Sequence, residues 1–593
     1  MPRPGCTSTA EIAYGGVVYF SHPQDGMVYR KQVGDDEPPT PITSANVPFR
    51  YADLTIHPIY PHMIVAVLED HTYDTPSAVI NRLVAIDSNT RSLTTIVEGA
   101  DFYASPRFSP DGEHVAYQDW NHPDMPWQRS AVHLALVDVN SGSINLKDDV
   151  RIAWDGHEVA VGFPTWVDNE QLAFVSDISG FINPHVYSLS TKEHFPLLPT
   201  PLAQDFAVST AKLDISPYVV LTECGKPTFI LFSTINHGVY TLHLFDIASQ
   251  TLLPAQTPFV FIFSLRAISS TDVVFLASSA TAPRALVQLT LHDTSGTSLQ
   301  AGSIKTTYKV LKSSMGPLPF PDGIISLPVR LSLSFEDKPL HVILYMPTNP
   351  AYDGSDSPNE KPPCIVNAHG GPISAADPGL NWERQYFTSR GWAWLDVDYG
   401  WSIGYGREYS DRLRGNWGIV DVVDCVKAAG QLASPPNHRI DAARTAIRGG
   451  SAGGFTTLVA LCSYPDAFPV GVSYFGVSDL GKLAQFTHKF ESRYTDKLIG
   501  GSYKDIPDVY AERSPVNNAD KIKSPLLILQ GLDDPVVPPK QAELIASKIS
   551  SRGGHVGYIT FKGEGNGFVK AESIKAALEA ERAFYEKIFN IKS

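Results

Sequence analysis

The stretch RTAIRGGSAGGFTTLVALCSYP, residues 444–465, decides the fold of the C-terminal half. An apolar run ends in two glycines, a serine follows, and a second apolar run with helical character begins at once. Gly449-Gly450-Ser451-Ala452-Gly453 fits G-x-S-x-G, which marks a nucleophile elbow when it leaves a strand and opens a helix. Such a turn holds its serine in a strained conformation and brings neighbouring backbones so close that only Gly or Ala fit around it. The residues flanking Ser451 are all Gly or Ala, so Ser451 is the expected nucleophile and the amide of Ala452, at the start of the helix, an expected oxyanion donor.

Around this elbow, buried-type strands (PCIVNAHG, AWLDVDYG, VGVSYFG, PLLILQG) alternate with helical segments such as GIVDVVDCVKAAGQLA and ESIKAALEAERAFYEKIF. That alternation predicts a mostly parallel, doubly wound α/β sheet of the α/β-hydrolase type. The chain order expected for such a site is Ser, Asp, His. PLLILQGLDDPVVPPKQ (525–541) supplies Asp533 and Asp534 directly after a strand, and spacing alone leaves both in play. The base is expected beyond the next strand, GYITF, in the loop KGEGNGF (562–568). That loop carries Asn566, and no histidine follows Gly557. His555 precedes the strand and is expected at its far end. The loop NAHGGP (367–372) follows an early strand and is of the type that lies beside the oxyanion.

Residues 12–310 have a different texture, with short β-branched and aromatic runs separated by turns. SPRFSPDGEHVAYQDW (105–120) and FPTWVDNEQLAFVSD (163–177) read as copies of one hairpin, which favours a β-propeller of six or seven blades. SSMGPLPFPDG (313–323) reads as the connection. The expected division is a propeller over 1–312, with the first residues packing on the hydrolase domain, and a catalytic domain over 313–593.

The chain has 593 residues, 43% hydrophobic and 18% charged, which fits a two-domain globular protein. Its net charge of -15 disfavours nucleic acid and anionic membrane as partners. The five cysteines (Cys6, Cys224, Cys364, Cys425, Cys462) show no ligand spacing, and neither a signal-peptide core nor an apolar run of spanning length occurs, so a cytoplasmic protein is expected. No HExxH or P-loop is present, and no metal or cofactor is expected.

Taken together, HGGP, DYGWSIGYGREYSDRLRGNWGIVDVVD, GGSAGGFTTL, SYFGVSDL, THKFESRY and LQGLDDPVVPPKQ resemble the prolyl oligopeptidase family of serine peptidases, in its acylaminoacyl-peptidase and aminopeptidase branch. The resemblance implies a propeller over an α/β-hydrolase domain, Ser451 as nucleophile, Asp534 as triad acid, and Tyr399 as a side-chain oxyanion donor beside the Ala452 amide. It places Glu491 and Arg493 near the substrate cleft, with Glu491 suited to a substrate α-amine. It also implies short-peptide or small-molecule substrates, and a homo-oligomer is compatible with it. Where the family has E-G-H-G-F this chain has E-G-N-G-F, so Asn566 stands at the histidine position. Asn has no titratable nitrogen and cannot accept the serine proton at neutral pH. Loss of a triad histidine lowers kcat by on the order of 10⁶. Two readings stay open: a serine peptidase severely impaired at its base, or a repurposed protein (cyclase, isomerase, lyase or ligand-binding pseudoenzyme) using the same pocket.

Overall fold

The computed structural model describes residues 11–591 apart from 141, 154–157, 209–211, 293–303, 322, 336–337, 353 and 358. The expectation that the first residues pack on the hydrolase domain concerns residues 1–10, which lie outside the described ones. Among the described residues the N-terminal half forms six four-stranded antiparallel sheets, each built from consecutive strands, within residues 11–41, 49–97, 102–151, 161–196, 218–255 and 261–313. The first strands of successive sheets pack side by side, which arranges the sheets as six propeller blades. The two hairpins read from the sequence are the first strand pairs of the third and fourth blades, Phe102–Phe108 with His114–Trp120 and Val161–Trp166 with Gln171–Ser176.

A feature not read from the sequence repeats along the innermost strands. In four blades the first strand carries one extra residue against its partner, and the bulge contains a non-glycine residue of positive φ: Asp53 (50°), Ser105 (52°), Phe163 (55°) and Ser264 (54°). Bulges of this kind bend a strand and re-aim its side chains. The result is visible at Asp53, whose carboxylate accepts the Ser105 amide at 2.6 Å and the Arg107 guanidinium at 2.9 Å, linking two blades near the axis.

After the last blade strand, Lys305–Ser313, the chain enters one eight-stranded sheet. Its spatial order is Val329–Phe335, Lys338–Tyr345, Ala393–Asp398, Cys364–Ala368, Thr445–Gly450, Gly471–Tyr474, Leu526–Gly531, Val556–Phe561. The first three strands are antiparallel neighbours and the rest run parallel. The central strands read as continuous apolar runs because both faces are covered, one by the helices Val420–Ala433, Ala452–Ser463 and Pro539–Ser551, the other by Trp382–Thr388 and Ala571–Phe589. No helix among the described residues is long and apolar enough to cross a membrane.

Several contacts hold the propeller to the sheet domain, two of them made by Arg407 and by the Lys489–Phe490 segment. Arg407 pairs with Asp177 and donates to Gln128 O at 2.8 Å. Lys489 donates to Asn81 Oδ1 at 3.0 Å and Asp101 O at 2.8 Å, while Phe490 packs its ring against Phe102 and Trp127.

Candidate active site

Ser451 sits between the central strand Thr445–Gly450 and the helix Ala452–Ser463, with φ 55° and ψ -118°. This is left-handed backbone that a serine adopts only under constraint, and the packing shows the constraint. A Cβ on Gly453 would stand 2.0 Å from Ala368 O, and one on Gly449 would stand 2.3 Å from the Gly453 carbonyl. The elbow therefore closes on the HGGP loop, where a Cβ on Gly370 would lie 3.8 Å from Ser451 Cβ. Behind the elbow the buried Arg448 pairs with Glu383 at 2.8 Å and Glu581 at 3.2 Å, and Glu581 also accepts the Tyr474 and Tyr585 hydroxyls.

Ser451 opens into a cavity of about 1180 Å³ whose wall includes Gly371, Ala452, Asp533 and Asn566. Ala452 is the first residue of its helix and lies on the cavity wall, so its amide has no intrahelical acceptor.

The two adjacent acids separate in the structure. Asp534 is buried, and its Oδ1 accepts the Val536 and Val537 amides at 2.9 Å each while its Oδ2 accepts Asn566 Nδ2 at 2.8 Å. Burial pushes its carboxyl above the ordinary range, and the donors from Val537, Asn566 and Val536 oppose that rise. Asp533 uses its amide to donate to Glu564 O at 2.9 Å, which ties the acid loop to the Asn566 loop. Gly531 lets these loops meet, since a Cβ there would stand 2.5 Å from both Glu564 O and Gly565 O. Glu564 in turn shapes its own loop by accepting the Val569 and Lys570 amides. His555 lies at the opposite end of the strand Val556–Phe561, its carbonyl bound by the Leu526 amide and its ring against Phe584.

Two of the expected site residues lie off the cavity wall. Tyr399 is fully buried and off the cavity wall; its hydroxyl donates to His369 O at 2.8 Å and its ring stacks on the His369 ring at 4.1 Å. In this arrangement its single proton goes to the HGGP loop beside Ser451. Arg493 is half-exposed, absent from the wall, and bound to Asp496 at 2.6 Å. Glu491 does line the cavity, with His488 Nε2 3.4 Å from its carboxylate.

Sequence reasoning missed His488, Tyr494 and Trp417, which also line the cavity. His488 and Tyr494 lie in the quoted THKFESRY, and the aromatic spacing there was a signal that could have drawn attention to the whole segment. His369 is buried, which pushes its imidazole down to about 4, and its Nε2 lies 2.8 Å from Ser402 Oγ. Among the described residues no group of three or more His, Cys, Asp or Glu side chains is placed to hold a metal ion.

Comparison with known proteins agrees with this architecture. The model of the prolyl oligopeptidase family matches residues 378–592. The chain is 31% identical over 256 residues to dipeptidyl aminopeptidase BIII of Pseudoxanthomonas mexicana, covering 42% of this chain and 36% of that protein. It is 30% identical over 217 residues to dipeptidyl peptidase family member 6 of Caenorhabditis elegans, covering 35% of this chain and 29% of that one. The matched segment thus spans about a third of the length of these curated relatives. Over the whole chain, a puromycin-hydrolysing peptidase of Mycobacterium tuberculosis superposes with a TM-score of 0.88 at 35% identity, covering 100% of this chain and 88% of that one. A puromycin hydrolase superposes with a TM-score of 0.87 at 31% identity, covering 99% and 87%. With its six-bladed propeller, its eight-stranded sheet and its serine elbow, the chain belongs to the prolyl oligopeptidase family and carries that family's serine-peptidase scaffold.

Proposed function

We propose that this protein is a serine hydrolase of short peptides and aminoacyl amides, that it reacts through an acyl-enzyme on Ser451, and that Asn566 makes its turnover slow. The observation that carries this reading is the positive-φ Ser451 on the wall of a cavity shared with Asn566, itself bonded to the buried Asp534. The amides of Ala452 and of the Gly370–Gly371 loop flank Ser451 and supply the oxyanion donors in this reading. Glu491 offers a carboxylate on the same wall to a substrate α-amine. The relatives named for dipeptidyl aminopeptidase activity and puromycin hydrolysis support an amide substrate of small size, and puromycin joins the candidates. Cys364, Cys425 and Cys462 are buried free thiols and Cys224 is an exposed one, which supports a reducing, cytoplasmic setting.

Asn566 accounts for the slow turnover. It holds the acid but accepts no proton, and a loss of about 10⁶ in kcat corresponds to about 8 kcal/mol of transition-state stabilisation. The test compares the unmodified chain, Asn566→His and Ser451→Ala with a serine-directed phosphonate and an aminoacyl anilide. Asn566→His is expected to raise both labelling and hydrolysis by several orders of magnitude, and Ser451→Ala to abolish both. Equal rates in the unmodified chain and Asn566→His would overturn the proposal.

A further inference from the structure

The substitution at 566 removes one specific atom from the reacting array. Asn and His share Cβ, Cγ and a nitrogen at the δ position, and in Asn566 that nitrogen donates to Asp534 Oδ2 at 2.8 Å. The link to the acid is kept. What Asn lacks is the ε nitrogen, which in a histidine would face the serine and take its proton.

Two further observations bear on what replaces it. Asn566 and Ser451 line the same cavity of about 1180 Å³, which has room for a small ligand beside both side chains. The other ionisable side chains of that wall are Glu564, which holds the Val569 and Lys570 amides, His488, whose Nε2 lies 3.4 Å from the Glu491 carboxylate, Tyr494 and Asp533, and among the described residues none of them is hydrogen-bonded to Ser451. An amide side chain also has two ends. With Nδ2 committed to Asp534, Oδ1 is left to accept a hydrogen bond, so a donor ring entering the cavity can be oriented by Asn566 as a triad histidine is oriented by its acid.

We propose that the site works by substrate-assisted catalysis, and that its substrates are short peptides or aminoacyl amides with a histidine side chain in the acyl portion. This rests on the reading of Ser451 as nucleophile. Imidazole is the natural side chain whose unperturbed titration lies near neutrality, which makes it the group able to stand in. One ring N–H donates to Asn566 Oδ1, and the other nitrogen accepts the Ser451 Oγ proton as Oγ adds to the scissile carbonyl. The C–N bond then breaks and the imidazolium returns that proton to the leaving amine. Water next adds to the acyl ester and gives its proton to the same imidazole, the ester C–O bond breaks, and the proton returns to Ser451 Oγ. One amide and one water become one acid and one amine, with no other reactant.

The experiment uses the unmodified chain with matched short peptides that carry His or Gln in the acyl portion, and repeats both with Asn566→His and Ser451→Ala. The unmodified chain is expected to cleave the His peptide at least on the order of 10²-fold faster than the Gln peptide, the scale of general-base assistance. That rate should rise as pH climbs through the titration of the peptide's imidazole, Asn566→His should lose the preference, and Ser451→Ala should cleave neither peptide. Added free imidazole should accelerate cleavage of the Gln peptide by the unmodified chain. Equal cleavage of both peptides by the unmodified chain, with Asn566→His raising both, would overturn this proposal and leave the serine-hydrolase reading standing. Cleavage of neither peptide by either chain would overturn both.

Discussion

Asn566 Nδ2 donates to Asp534 Oδ2 over 2.8 Å, the same bond a histidine at that position would make with its δ nitrogen. The acid therefore keeps three donors, two of them the amides of Val536 and Val537. Asn566→Ala removes one donor from a buried carboxylate. A hydrogen bond to a charged group contributes about 1.5–3 kcal/mol, so Asn566→Ala should lower the unfolding free energy by roughly that amount. Asn566→His, which keeps the bond, should leave it nearly unchanged. Urea denaturation of the three chains checks this.

The elbow's packing makes a second prediction. Gly453→Ala would place a Cβ 2.0 Å from Ala368 O, and the obstructing atom is backbone in a central strand rather than a mobile side-chain tip. Forcing atoms into a close-packed core costs about 1–3 kcal/mol, and here the strain falls on the HGGP loop beside Ser451. In an Asn566→His background, phosphonate labelling should drop together with the denaturation midpoint. Labelling at the parent rate would show that the strand and helix separate easily at this point.

Legibility of the fold followed from where local chemistry is unambiguous. Ser451 was readable because a strained turn needs small flanking residues, and Gly449 and Gly453 meet backbone as that logic requires. Asn566 was readable because its loop follows the last strand, Val556–Phe561. The Tyr399 contact was not readable because a strand-end aromatic can point to either face, and its partner, the His369 carbonyl, follows a neighbouring strand 30 residues earlier. The Arg493 pairing was not readable because the short helical turns after it place Asp496 within reach. The bulges at Asp53, Ser105, Phe163 and Ser264 were hidden because their residue types differ and only the register with a partner strand shows the extra residue.

The buried Arg448 beneath the elbow predicts a stability effect without direct chemistry. It faces Glu383 and Glu581 and lies over the rings of Tyr474 and Trp394. Arg448→Met leaves Glu581 buried without its cation and should cost about 3–5 kcal/mol. Arg448→Met combined with Glu581→Gln should cost less than the sum of the single changes, because the uncompensated charge is gone. Denaturation curves of the double-mutant cycle measure the coupling.

At the domain junction, burial pushes the Asp205 carboxyl up to about 7, opposed by the amides of Ile182, Gly406 and Gly404, with Asp177 adding to the rise. An acid with a raised folded-state value keeps a proton that the unfolded chain releases. The folded state therefore loses relative stability as pH climbs from about 4 to about 7. Asp205→Asn removes that term. Relative to the parent, the variant should gain nothing near pH 4 and on the order of a few kcal/mol above pH 7. Unfolding followed at several pH values would show the gap opening across that window, and a constant gap would show that Asp205 does not hold its proton.

Tyr399 offers the sharpest separation between an orienting and a reacting role. Its hydroxyl donates to His369 O, one residue before the Gly370–Gly371 turn, and its ring stacks on His369, so removal of the hydroxyl should loosen that turn rather than strip a donor from the oxyanion. A lost oxyanion donor lowers kcat by about 10²–10³. A single neutral hydrogen bond contributes about 0.5–1.5 kcal/mol, or roughly tenfold at most if its whole value were felt at the site. In an Asn566→His background, Tyr399→Phe should therefore reduce kcat by less than about tenfold, with the thermal midpoint shifting in step. A loss of about 10² or more with an unchanged midpoint would mean that the phenol turns to the substrate during the reaction, and that the His369 contact belongs only to the resting enzyme.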